Sequence, residues 1–148
     1  MRPSALLLVL AVGGFAIAAP SAALPEGQKA GAPAAVPTVA ATAVVYYFHA
    51  TTRCATCRTI EAYAHETVAS RFAADLEARR LEWQAVNVDE PANRHFIRDF
   101  QLYTRSVVIV DAKDPKRFKV LDRVWRLVGD KAAFQGYVER EVRAFPRS

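Results

Sequence analysis

Cysteine is scarce in this chain: there are two in 148 residues, and both lie in one segment, His49-Ala-Thr-Thr-Arg53-Cys54-Ala-Thr-Cys57-Arg58. A multi-disulfide framework and a four-cysteine zinc site are therefore excluded. No cysteine lies near residues 16–24, which excludes a lipid-anchored cysteine behind an export signal. Charge of one sign is not concentrated either. Lys and Arg total 20 against 15 Asp and Glu, with no long basic run and no repeated aromatic pattern, so nucleic acid is not an expected partner. There is no internal repeat and no nucleotide- or flavin-binding signature. What is present, 52% hydrophobic and 24% charged residues, is enough for one core in one domain.

The N-terminus reads as an export signal over residues 1–23. Met1-Arg2 gives a positive start, an apolar stretch runs from Ala5 to Ala19, and small residues follow for cleavage after Ala18, Ala19 or Ala23. The alternative is an uncleaved anchor, because Ala5 to Leu24 approaches the roughly 20 residues that span a bilayer. Both readings place the body of the protein outside the cytoplasm, in a bacterial periplasm where disulfides persist. A membrane is a partner only in the second. Residues 24–42, rich in Ala and Pro, cannot build a core and read as a linker. The folded domain is residues 43–148.

Ala43 to His49 is a β-branched and aromatic run, apolar on both faces, as in a strand buried within a covered sheet. Thr51 and Thr52 are candidate N-caps for a helix that runs through both cysteines to about Arg80, with Ile60, Ala64, Val68, Phe72 and Leu76 along one face. Leu81 to Val88 reads as a second, parallel strand. Asp89-Glu90-Pro91 starts a short helix that ends near Phe100, with Phe96 and Phe100 as its core contacts. Arg105 to Val110 and Phe118 to Val124 form an antiparallel hairpin, and Gly129-Asp130 caps a final helix carrying Phe134, Tyr137, Val138, Val142 and Phe145. Trp83 and Trp125 are expected at strand positions. His65 and His95 read as helix-surface residues, and Lys113, Lys116, Arg117 and Lys119 decorate a turn.

This arrangement is α/β, a mixed four-stranded sheet in the order βαβαββα. With a C-x-x-C opening the first helix, it resembles the thioredoxin fold, a three-layer sandwich. More closely, Tyr46-Tyr-Phe-His49, Arg53-Cys-Ala-Thr-Cys57, Asn87-Val-Asp-Glu-Pro91, Tyr103-Thr-Arg-Ser106 and Val124-Trp125 resemble a family of small exported or membrane-tethered thioredoxin-like proteins. Some members of that family are named nitrophenyl compound nitroreductase subunit. The resemblance covers the domain and implies thiol–disulfide exchange with a protein thiol, a protein disulfide or a partner reductase.

On this reading Cys54, nearer the helix start, is the nucleophile and Cys57 resolves the mixed disulfide. The helix dipole with Arg53 and Arg58 favours a thiolate at Cys54, below the roughly 8.5 of a free thiol. His49 stands as a local base. Thr104, Arg105 and Ser106, with Tyr103, form the facing wall. The chain departs from thioredoxins in two places. Tyr46, Tyr47 and Phe48 stand where those proteins carry a buried acid, and the Arg105–Val108 loop lacks their cis-proline. A restricted partner is therefore expected in place of general exchange. No cofactor beyond the redox-active disulfide is required. The alternatives are a copper(I)-binding module using Cys54, Cys57 and His49, and a non-catalytic redox-partner subunit of a reductase. A three-residue disulfide loop stabilises too little to be only a staple.

Overall fold

The computed structural model describes residues 41–147, so the expected signal and most of the linker lie outside the described residues. Four strands, β1 (Ala43–His49), β2 (Leu81–Asn87), β3 (Ser106–Asp111) and β4 (Phe118–Val120), form one sheet in the spatial order β2-β1-β3-β4. The β1 strand pairs parallel with β2 and antiparallel with β3, which pairs antiparallel with β4. The domain is thus α/β with a mixed sheet flanked by helices, an architecture compatible with a thioredoxin-like fold. No helix among the described residues is long and apolar enough to cross a membrane.

The apolar run in β1 follows from its central position. Residues alternate between the two faces of a strand. Val45 and Tyr47, with Val107 and Ile109 of β3, face α1 (Ala55–Arg71) and α5 (Lys131–Ala144), where Ile60, Ala64, Val68, Phe134, Val138 and Val142 close the main core. On the opposite face Tyr46, Phe48, Val108 and Val110 meet Phe96 and Phe100, carried by the short α3 (His95–Asp99) and the residue after it. Three layers result, with β1 covered on both sides.

Four sequence expectations are corrected. The helix through the cysteines ends at Arg71: Phe72 leaves the helical region (φ −128°, ψ 25°) and a separate α2 (Ala73–Glu77) follows. The spacing-four stripe continues through the break, since Phe72 is buried outside the helical region. The chain then turns through Arg79, whose φ is 53°, and Arg80 pairs with Asp75 at 2.7 Å. The segment Asp89–Phe100 splits into a 3₁₀ turn at Pro91–Asn93 and α3. The β4 strand stops at Val120, and Val124–Leu127 is a helix, α4. Trp125 accordingly sits on α4, where its indole N–H donates to the Arg105 carbonyl at 2.9 Å. The observed order therefore inserts α2 and α4 into βαβαββα. Asp130 caps α5 as expected, accepting from the Ala133 N–H at 3.0 Å.

Candidate functional site

The sheet delivers both cysteines to one end of β1. The loop Ala50–Arg53 that joins β1 to α1 is moored on three sides. Thr51 N–H donates to the Asp89 carboxylate at 2.8 Å, Asn87 donates to the Thr51 hydroxyl at 3.1 Å, and an Arg105 guanidinium N–H donates to the Thr52 carbonyl at 3.4 Å. The Thr51 N–H holds the Asp89 carboxyl below its usual range, helped by the nearby Arg105 and Arg94 charges.

Cys54 and Cys57 form a disulfide with their Cα atoms 5.1 Å apart. The N-cap of α1 is Cys54, not Thr51 or Thr52: the Cys54 sulfur accepts the Cys57 N–H at 3.1 Å. Cys54 is exposed, whereas Cys57 is buried at 4%. An attacking group from solvent therefore meets Cys54 first. The α1 helix presents the positive end of its dipole to this sulfur, and its first turn carries no acid.

Beneath the pair lies a contact invisible in the sequence. The Tyr47 hydroxyl, fully buried, donates to the Cys57 carbonyl at 2.7 Å. Burial pushes this hydroxyl up to about 12, with Glu61 adding to the rise and Arg53 and Arg105 opposing it. Tyr47 thus occupies the strand position facing the resolving cysteine, as a neutral donor throughout the physiological range.

The sequence candidates divide by place. Arg53 pairs with Glu61 at 2.6 Å, and Arg58 donates to the Arg53 carbonyl at 2.9 Å, so both arginines are fastened around the motif. Ser106 is buried opposite Phe48 and donates to the Thr104 carbonyl at 2.9 Å, shaping the facing loop. Arg105 supplies the contact between that loop and Thr52. His49 ends β1, and its Nδ1 donates to the Ala50 carbonyl at 3.0 Å. His49, Thr104 and Arg105 also line a cleft of about 280 Å³ with Asp89, Ile97 and Tyr103. Ile97 and Tyr103 are exposed at 42% and 86%, and they are the large hydrophobics that reach solvent among the described residues. His65 packs beside Trp83, and His95 pairs with Asp99 at 2.8 Å, both away from the motif. Among the described residues no group of three or more His, Cys, Asp or Glu is gathered as it would be around a metal ion.

Sequence reading missed Tyr47 as a site residue and Asp89 as the loop's anchor. A hydroxyl on the inward face of a buried strand was the available signal for the first. No protein-family model, no curated protein and no solved structure matches the chain.

Proposed function

We propose that this domain exchanges thiols and disulfides through Cys54 and Cys57 on a thioredoxin-like architecture, acting on a restricted protein partner outside the cytoplasm. One arrangement carries the reading: a disulfide at the first turn of a helix, with an exposed sulfur at the cap and a buried one a turn later. A structural staple has no need of that asymmetry.

In the reducing direction for the partner's disulfide, the Cys54 thiolate attacks one partner sulfur. A Cys54–partner disulfide forms and the other partner sulfur leaves as thiolate. Cys57 then attacks Cys54 Sγ, the mixed disulfide breaks, and the second partner sulfur leaves. The partner gains two electrons and the Cys54–Cys57 pair loses them. The same steps run backwards oxidise a partner dithiol. The helix dipole with Arg53 and Arg58 stabilises the thiolate and so the reduced pair, which makes the disulfide the more oxidising. The cleft and the exposed Tyr103 and Ile97 beside the motif give a partner a surface to lie on, and they support restriction by shape.

The test is trapping. Cys57→Ser is expected to hold a mixed disulfide through Cys54 with a disulfide substrate, Cys54→Ser to hold none, and the wild-type pair to cycle. A pair that cannot be reduced and reoxidised, with no adduct in Cys57→Ser, overturns the proposal.

A further inference from the structure

Cys57 and Glu61 are spaced by four within α1 and share one of its faces, and Arg53 precedes the Cys54 cap in the loop. Arg53 and Glu61 are joined: Arg53 Nη2 lies 2.6 Å from Glu61 Oε2, their side chains 29% and 23% exposed. This ion pair reaches from one residue before the cap to two turns into the helix, and Cys57 lies midway along that stretch of sequence. The same Arg53 nitrogen is buried and makes no aligned hydrogen bond, and its Nε is likewise buried and unbonded. The contact with Glu61 is therefore one of charge, which leaves buried donors unused beside the motif. Tyr47 connects the pair to Cys57, because its hydroxyl holds the Cys57 carbonyl and feels the charges of both Glu61 and Arg53.

A resolving cysteine must lose its proton to attack. Tyr47, pushed up to about 12, does not accept it at neutral pH. The carboxylate whose field reaches Tyr47 is Glu61. Arg58 and His65 stand three and four residues from Glu61 along α1, and Arg105 acts on Tyr47 from the sheet side. Of the α5 cations, Lys131 is engaged by Glu66 and the Tyr63 ring, and Arg143 lies over the Phe72 ring at the far end of α1.

We propose that Glu61, one turn beyond Cys57 on the same face of α1, accepts the Cys57 proton in the resolving step, while Arg53, paired with Glu61, balances the charge on the carboxylate. The assignment rests on the thiol–disulfide reading above. The proton passes from Cys57 Sγ to the Glu61 carboxylate, the Cys54–Cys57 bond forms, the Cys54–partner bond breaks, and the partner leaves as thiolate.

The test uses the reduced full chain with 5,5′-dithiobis(2-nitrobenzoate), which releases one coloured thiolate on attack by Cys54 and a second on resolution by Cys57. Glu61→Gln is expected to leave the first release near wild type. It should slow the second about a hundredfold near neutral pH, the low end for a lost general base, and make it rise with hydroxide over the whole range. A second release in Glu61→Gln equal to wild type at every pH overturns the assignment while leaving the exchange reading intact. Absence of any second release in the wild type removes both. Should Glu61→Gln not fold, Glu61→Asp carries the same comparison: a slowed second phase beside an unchanged first supports the role, and a wild-type second phase overturns it.

Discussion

Replacing Tyr47 by Phe removes one oxygen from the most enclosed contact in the site. That hydroxyl is fully buried and donates to the Cys57 carbonyl at 2.7 Å, the ordinary length of a good O–H···O bond. A typical net contribution is about 0.5–1.5 kcal/mol, and stranding a buried acceptor costs about 1–3 kcal/mol. The Cys57 carbonyl lies in the first turn of α1, where the helix supplies its own i+4 N–H, so it is not stranded. The expected loss is therefore about 1 kcal/mol, equivalent to roughly 4–8 °C in Tm for a domain near this size. The pH dependence gives a second reading of the same group. In the fold Tyr47 is raised from 10.0 to about 12. Above pH 10 the unfolded chain therefore releases this proton while the native state retains it. The contribution is fully present below about pH 10 and is lost as pH rises towards 12. Tyr46 and Tyr137, also raised, act with the same sign in both proteins. Urea unfolding of oxidised wild type and Tyr47→Phe from pH 7 to 11.5 should show a gap near 1 kcal/mol that narrows on the alkaline side. A gap that is zero at pH 7, or one that widens with alkali, refutes the reasoning.

Asp130→Ala removes the α5 cap and should cost about 1 kcal/mol in chemical denaturation; no change would mean another group satisfies the Ala133 N–H. Phe134, fully buried and edge-on to Tyr63, leaves a cavity on truncation. Phe134→Ala should lower stability by about 3–5 kcal/mol, and a loss under about 1 would show that the α1–α5 core collapses around the gap. Asp89 is lowered from 3.8 by the Thr51 N–H, so the anchorage of the motif loop is present above that value and released as pH falls below it. The protection factor of the Thr51 amide, its exchange relative to the intrinsic rate at the same pH, should fall in acid, and in Asp89→Ala at neutral pH. Equal protection in wild type and variant at pH 7 would assign the mooring to Asn87 and Arg105 instead.

The central strand and the placement of the motif were readable because burial on both faces leaves an uninterrupted apolar run in Ala43–Phe48, and because a strand, a short polar loop and two cysteines fit within fifteen residues. The final helix was readable from Asp130 and the buried side chains that follow it. The break at Phe72 was not, since periodicity reports which side is buried and not whether the axis is continuous. Phe118, Val120 and Val124 illustrate the same ambiguity: their even spacing fits one face of a strand, yet the chain leaves β4 at Val120 and Val124 opens α4. Tyr47 escaped notice for a different reason. Its partner is a backbone carbonyl, and a carbonyl has no letter in the sequence. The Arg53–Glu61 pair spans the helix cap, where the spacing rules for regular helices do not reach.

The helix cap carries a further consequence. Capping residues are ordinarily inert parts of the fold, but here the capping atom is also the atom that changes oxidation state. A disulfide sulfur is a weak acceptor for the Cys57 N–H; a thiolate in the same place is an anion at the positive end of a dipole. Folding free energy and electron affinity are therefore two sides of one thermodynamic cycle. The difference in folding stability between the two forms equals the displacement of the folded pair's reduction potential from that of the unfolded chain, at about 30 mV for each 1.4 kcal/mol. A pair of melting curves, oxidised and reduced, thus measures how far folding shifts this protein's pull on electrons, without any partner being present.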